Sequence, residues 1–319
     1  MTPPTTTEAA PATSAPPAPR LMSLRGRAPW HVAATLAVLV GAAFLARHHW
    51  PVIEAGAARL AGADPGWLLF AATATVSTWA CSALAQQGAV TEGLPGARLV
   101  AVQFAASAAN HLLPAGAVNL RFLTRCGLSV PRSATALAVK ATAGAVSRGA
   151  LIAVLALAGP GLLRLPPLST VAVAAAVLVA VALGVVLCGP LRRASRAVLA
   201  DVRAVHRLPG RAAALWGGSL AFASLHSLVV IAVARSLGLP LPPGEVALAY
   251  LVASSAAVLL PTPGGIGSLD AALAISLALV GAPGGMAASV VIGYRLLTVW
   301  LPLIPGLVVL ALLVKRKEL

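Results

Sequence analysis

Three basic residues lie inside long apolar runs of this sequence, where a charged side chain is unfavourable. Lys140 and Arg148 lie eight residues apart in one run, and Arg295 lies in the last one. A basic side chain at the centre of a spanning helix costs about 2.5–3.5 kcal/mol on insertion scales. Asp270 is the one acidic residue that the apolar regions contain, so it can neutralise only one of the three bases. The surplus predicts a cavity that binds an anion, and in a bilayer the obvious anion is a phosphate.

A purely structural interpretation competes with this one. Lys140 lies about six residues, or roughly 9 Å, into its run. Considered by itself, its side chain can snorkel to the membrane interface, and that is sufficient to explain a lysine at this position. Arg148 lies about 14 residues, or roughly 21 Å, into the same run, where snorkelling is difficult from either side. An ion pair of Asp270 with either Arg295 or Arg148 is compatible with the sequence.

Two apolar regions are each interrupted by proline and glycine. Both contain Leu-Leu-Pro followed by glycine, once near residue 114 and once near residue 261. Proline ends a helix and glycine permits the turn that follows, and the next half-helix can present its amide groups to an anion. Such paired breaks in opposite halves are typical of inverted-repeat transporters, although two kinked helices or ordinary turns remain an alternative. The predicted break residues are Pro114 and Gly116 in the first region, and Pro261, Pro263, Gly264, Gly265 and Gly267 in the second.

Membrane-spanning helices must position these residues. Hydrophobic residues make up 59% of the 319 residues and charged residues only 10%, whereas a soluble domain carries about a quarter charged residues. A spanning helix needs roughly 17–25 mostly apolar residues. Six runs meet this requirement, at about 30–46, 67–90, 134–158, 168–188, 212–237 and 286–313, and the two broken regions lie at about 97–120 and 246–282.

The charge distribution predicts the orientation. The chain has 23 Lys and Arg residues against 8 Asp and Glu residues, a formal charge of +15. If the six runs cross and each broken region returns to the face it entered from, both termini are cytoplasmic. Sixteen basic residues then lie on the cytoplasmic side and four on the outer side, which agrees with the positive-inside rule. Topology therefore accounts for most of the charge, and no nucleic-acid partner is predicted.

Other chemistry finds little support in the sequence. The three cysteines form no C-x-x-C pair, the histidines form no H-E-x-x-H motif, and no lysine lies in a phosphate-binding G-K-[ST] context. No metal site, cofactor or catalytic residue is therefore predicted. His226, alone on an apolar run, is interpreted as a packing residue. Residues 1–28 are predicted to be a disordered cytoplasmic tail rich in Thr, Pro and Ala, 29–314 a membrane domain, and 315–319 a basic cytoplasmic C-terminus.

A family resemblance adds to this interpretation. The stretch Pro-Thr-Pro-Gly-Gly-Ile-Gly-Ser-Leu-Asp at 261–270, followed by Tyr-Arg-Leu-Leu-Thr-Val-Trp-Leu-Pro at 294–302, resembles the signature of the lysylphosphatidylglycerol synthase transmembrane region family. Leu-Leu-Pro-Ala-Gly at 112–116, with Arg121 and Arg148 after it, is similar to the first half of that family. The resemblance implies a flippase-like domain, with re-entrant helices from both faces, that moves or presents phospholipids or isoprenoid-linked lipids. The sequence departs from the family at three places: Asp270 stands where Glu is usual, and Ser147 where an acidic residue is common. The first break has Ala-Gly-Ala at 115–117 rather than a double glycine.

The sequence thus predicts an all-α, multi-pass protein of the bacterial inner (cytoplasmic) membrane, with about six full spans and two re-entrant hairpins in an inverted repeat. The predicted function is ATP-independent flipping of an anionic phospholipid or isoprenoid-linked lipid, whose phosphate headgroup is the expected partner. The alternatives are a membrane-embedded, lipid-dependent glycosyl or headgroup transferase, or a non-catalytic partner of a separately encoded lipid-modifying enzyme. The candidate substrate-binding residues are Arg148, Arg295, Arg121, Lys140, Tyr294 and Asp270.

Overall fold

The described part of the chain is built from helices joined by turns. The computed structural model describes residues 54, 58–111, 113–114, 116–158, 199–258, 267–316 and 318–319, and no strand occurs among them. The predicted tail at 1–28, the apolar runs at 30–46 and 168–188, and Pro261, Pro263, Gly264 and Gly265 lie outside these residues. The main helices are α1 (Pro65–Gly88), α2 (Gly96–Ala109), α3 (Ala117–Arg125), α4 (Val130–Ala158), α5 (Pro209–Ser236), α6 (Pro243–Ala257), α7 (Ser268–Leu279), α8 (Gly284–Arg295) and α9 (Leu301–Lys315).

Four helical segments are long and apolar enough to cross a membrane. They are α1, α4, α5 and the continuous segment Gly284–Lys315, in which a π-helical turn at Leu296–Trp300 joins α8 to α9. These segments coincide with four of the six runs that the sequence predicts. At 1.5 Å per residue, the 24 residues of α1 extend for about 36 Å, which exceeds the ~30 Å hydrocarbon core of a bilayer.

An antiparallel pair of helices, α1 and α5, forms the centre of this fold. The Asp64 carboxylate caps α1 by accepting hydrogen bonds from the amides of Gly66 and Trp67. The Asp64 amide also donates to the Ser236 carbonyl at 2.9 Å, so α1 begins where α5 ends. Further along, a Cβ atom on Gly218 would lie 2.6 Å from the Ala85 amide nitrogen. Small residues at such contacts let the helix backbones approach closely, which is how helices associate in membranes.

Two pairs of short helices interrupt this pattern. The 14-residue α2 and the 9-residue α3 are separated by the first break, and the 15-residue α6 and the 12-residue α7 by the second. The longest of them extends for only about 22 Å, so none can cross the hydrocarbon core by itself.

The two pairs meet the bundle at opposite ends. Glu92, in the loop before α2, forms a 2.7 Å salt bridge with Arg132 in the first turn of α4, so the first pair enters and leaves where α1 ends. The second pair follows α5 and precedes α8, and an Arg59 guanidinium nitrogen lies 3.5 Å from the Ser289 hydroxyl of α8. The second pair therefore enters and leaves where α1 begins.

Candidate functional site

Two adjoining cavities lie between α1, α4, α5 and the first broken segment. The larger has a volume of about 480 Å³ and a wall made mainly of alanine, glycine and large apolar side chains. The smaller has a volume of about 210 Å³, and hydroxyl and amide side chains form much of its wall. Ser82, Asn119, Lys140 and Phe222 line both cavities, so they form the boundary between the two.

A hydrogen-bonded group of side chains holds Lys140 at this boundary. The Lys140 ammonium donates to the Ser82 hydroxyl at 2.9 Å and to the Gln103 amide oxygen at 3.0 Å. Ser82 donates to the same Gln103 oxygen, and the Gln103 amide nitrogen donates to the Asn119 side-chain oxygen at 2.7 Å. Explaining Lys140 by snorkelling was therefore wrong, because Ser82 of α1 and Gln103 of α2 bind its head group inside the bundle, and Asn119 of α3 in turn binds Gln103.

The turn at the first break positions Asn119, one of the side chains in the hydrogen-bonded group around Lys140. Gly116 has a φ angle of +81°, which favours glycine, and its amide donates to the Asn110 side-chain oxygen at 3.2 Å. This turn starts α3 immediately afterwards and places Asn119 within its first turn. Pro114 lies in the turn and Gly116 lines the larger cavity, so the first predicted break is next to the candidate site.

Arg148 lies in the wall of the larger cavity. It follows Lys140 by eight residues on α4, or about 12 Å along the helix axis, with Gly144 between them in the same wall. Arg148 forms no hydrogen bond or salt bridge with any residue that the structure describes. No carboxylate occurs among the described residues that line either cavity. The larger cavity thus presents a guanidinium group with apolar surroundings and room beside it.

An ion pair holds the start of α7, which follows the second break. The Arg295 guanidinium of α8 pairs with the Asp270 carboxylate of α7, and the Arg295 side chain is only 11% exposed. The other Asp270 oxygen accepts from the Gly267 amide at 2.9 Å, where Gly267 has a φ of +89°. Of the two pairings that the sequence allowed for Asp270, the structure has the one with Arg295. The Asp270–Arg295 contact also brings together the last residue of the Pro-Gly-Gly…Asp motif and the arginine of the Tyr-Arg motif, which lie far apart in the sequence.

Residues 31–306 match the family described as the lysylphosphatidylglycerol synthase TM region, which is most of the chain. The chain belongs to this family. The family assignment made from the sequence motifs is therefore confirmed. Membership makes the chain a flippase-like membrane domain, and the described residues contain four helical segments that are long and apolar enough to span a membrane. A comparison with proteins of curated function gave no match.

In this member of the lysylphosphatidylglycerol synthase TM region family, Tyr294 belongs to a buried aromatic cluster. Its hydroxyl lies 3.1 Å from the His226 Nδ1 atom and donates to the Tyr250 hydroxyl at 3.4 Å. His226 also lines the smaller cavity. The interpretation of His226 as a packing residue was therefore incomplete, because its ring links the Tyr294 hydroxyl to the cavity wall.

The six candidate substrate-binding residues therefore do not form one site. Lys140 and Arg148 line the cavities, and Tyr294 reaches the smaller one through His226. Arg295 and Asp270 form their ion pair at the second break and line neither cavity, while Arg121 is exposed on α3. The site residues that sequence reasoning missed are Ser82, Gln103 and Asn119. Their signal was a polar side chain within or next to an otherwise apolar run.

Proposed function

We propose that this chain translocates an anionic phospholipid or isoprenoid-linked lipid between the leaflets of the membrane without hydrolysing ATP. The observation that carries the proposal is Arg148, which lies in a cavity of about 480 Å³ and has no hydrogen-bonding or ionic partner among the described residues. A guanidinium group binds phosphate oxygens through two parallel hydrogen bonds, so a lipid phosphate is a suitable partner for it.

Lys140 supplies a second position for the phosphate. Its ammonium carries three N–H groups, of which two are used by Ser82 and Gln103, so one remains for a ligand. The phosphate passes between the two basic residues over about 12 Å along α4, while the acyl chains stay in the bilayer. This distance is a large part of the ~30 Å that a headgroup has to travel.

The two broken segments are the second part of the proposal. We infer that α2–α3 and α6–α7 are re-entrant hairpins of an inverted repeat, in an inner-membrane protein with both termini in the cytoplasm. Their entry from opposite ends of the bundle and the positive φ angles of Gly116 and Gly267 support this arrangement. In such transporters the breaks lie near the binding site, and of the two breaks in this chain the first lines the larger cavity, through Gly116.

The test is translocation by purified protein in vesicles that contain an anionic phospholipid with a fluorescent acyl chain. Dithionite quenches only the outer leaflet, so protein-dependent loss of the inner-leaflet signal reports movement. We expect Arg148→Ala to reduce the rate at least tenfold, because its guanidinium contacts the phosphate during transfer. Arg235→Ala is the matched control, since Arg235 is exposed at the end of α5.

Unchanged translocation by a folded Arg148→Ala variant would contradict the mechanism. Thermal unfolding of each purified variant shows whether it is folded. Incubating the same vesicles with a lipid-linked sugar, followed by mass spectrometry of the products, separates translocation from the transferase alternative.

A further inference from the structure

The smaller cavity differs from the larger one in the chemistry of its wall. At about 210 Å³ it exceeds the ~150 Å³ of a cavity that binds benzene, so a six-membered ring or a glycerol unit has room in it. Hydroxyl groups of Thr75, Thr78, Ser107 and Thr298 line it, together with amide groups from the polar residues described above. Lys140 places this polar space directly beside the proposed phosphate path.

The hydroxyl groups on the wall are available as acceptors. Thr75 and Thr78 each donate to a carbonyl of their own helix, at 2.8 and 2.6 Å, and Thr298 does so at 2.7 Å. A hydroxyl has one hydrogen and two lone pairs, so each of these groups keeps lone pairs for a ligand.

Amide groups on the same wall are available as donors. The side-chain nitrogens of Asn110 and Asn119 form no hydrogen bond with any described residue, although the oxygens of both amides are used. The wall therefore offers donors and acceptors together, and a hydroxyl group, which both donates and accepts, matches them best.

The charge of the cavity restricts the ligand further. Lys140 lines it, and none of the described lining residues is a carboxylate. The ammonium group of a short aminoalkyl headgroup such as ethanolamine would lie close to Lys140 without an acidic partner and would be repelled.

We infer that the smaller cavity recognises an uncharged polyhydroxyl headgroup, such as a glycerol or a hexose, joined to the lipid phosphate. The inference rests on the proposed translocation and names the class of lipid that undergoes it. A phosphoglycerol lipid and an isoprenoid-linked sugar phosphate share this chemistry, and the experiment distinguishes the two.

The test compares three fluorescent lipids in the vesicle assay: phosphatidylglycerol, phosphatidylpropanol and phosphatidylethanolamine. Phosphatidylpropanol has the same phosphate charge and three-carbon chain as phosphatidylglycerol but lacks its two free hydroxyls. We expect phosphatidylglycerol to move faster than phosphatidylpropanol by on the order of tenfold, the effect of two modest hydrogen bonds. Phosphatidylethanolamine should be the slowest of the three.

A pair of threonine variants locates the preference in the cavity. Thr75→Val should slow phosphatidylglycerol and leave phosphatidylpropanol unchanged, because it removes an acceptor from the wall. Thr73→Val is the matched control: Thr73 makes the same hydrogen bond to the carbonyl four residues earlier but is exposed and outside the cavity. Unlabelled polyprenyl phosphoglucose is then added to the phosphatidylglycerol assay. If it inhibits the movement of phosphatidylglycerol, the sugar-linked lipid is the favoured substrate; if it does not inhibit, the glycerol lipid is.

Equal rates for phosphatidylglycerol and phosphatidylpropanol would overturn this inference while leaving the translocation proposal intact. Rapid movement of phosphatidylethanolamine would overturn the requirement for an uncharged group. If the protein moved none of the three phospholipids and no fluorescent polyprenyl phosphoglucose either, the proposed function would fail, and the headgroup preference with it.

Discussion

The contact between α1 and α5 allows a sharp test of the packing around the cavities. A Cβ atom on Gly218 would lie 2.6 Å from the Ala85 nitrogen, 2.9 Å from the Cys81 oxygen and 3.0 Å from the Ala85 Cα atom. All three neighbours belong to the backbone, so no side chain can rotate away. Non-bonded carbon contacts are comfortable from about 3.5 Å, so Gly218→Ala must separate the helices by nearly 1 Å.

The expected size of the effect follows from two opposing contributions. Overpacking a well-packed contact costs about 1–3 kcal/mol, whereas replacing a helical glycine by alanine contributes up to about 1 kcal/mol of stability. Gly217→Ala provides the matched control, because a Cβ atom there meets nothing within 4 Å. Since both variants make the same change on the same helix, their difference in unfolding free energy should be about 1–3 kcal/mol.

Thermal unfolding of the two purified variants in detergent measures this difference. At roughly 2–4 °C per kcal/mol, the midpoint of Gly218→Ala should lie about 2–12 °C below that of Gly217→Ala. Because Ala85 and Ser219 line the larger cavity, Gly218→Ala should also change the translocation rate and Gly217→Ala should not. Equal midpoints for the two variants would refute the close approach of α1 and α5.

The remaining predictions concern the ion pairs. Asp270→Asn should lower the thermal unfolding midpoint, because the mostly buried Arg295 loses its carboxylate partner. The loss of stability in the double variant Asp270→Asn/Arg295→Gln should be smaller than the sum of the losses in the two single variants. Burial opposes ionisation of Glu92, but its backbone hydrogen bond and the nearby Arg132 guanidinium lower the Glu92 pKa overall. Stability from this exposed pair, at most about 1 kcal/mol, should therefore be present near neutral pH and be lost as pH falls below about 4.3 through the lowered pKa. Arg132→Ala should reduce this pH dependence, and an unchanged acid profile would argue against the pair.

The spans and the family could be predicted from the sequence because each depends on local features. A long apolar run is sufficient to predict a spanning helix, and four of the six runs coincide with long helices in the described residues. The Pro-Gly-Gly and Tyr-Arg motifs identified the family, as the match over residues 31–306 confirms. The pairing of Asp270 could be narrowed to two arginines, but choosing between them required knowing which helices pack together.

The cavity lining could not be predicted, because it depends on how helices rotate about their axes. A helix that is apolar on all sides has no polar stripe to show which face is buried. Ser82 and Gln103 come from two such helices and Asn119 from the short, amphipathic α3, and only the packing of these helices brings the three side chains together beside Lys140. The close contact at Gly218 is equally invisible in the sequence, since Gly217 next to it has open space.

Lys140, Arg148 and Arg295 differ in how their charge is stabilised, and on the proposed function this difference favours Arg148 as the base that binds the phosphate. Lys140 has two charge-assisted hydrogen bonds and Arg295 has a carboxylate, whereas Arg148 has neither among the described residues. If its insertion cost of about 2.5–3.5 kcal/mol is relieved only when a phosphate binds, the gain in affinity is on the order of 10²-fold. A transport site must bind its substrate strongly enough to admit it and weakly enough to release it. A gain of about two orders of magnitude would favour entry of the phosphate without approaching irreversible binding, whereas a preformed ion pair at Arg148 would remove this gain.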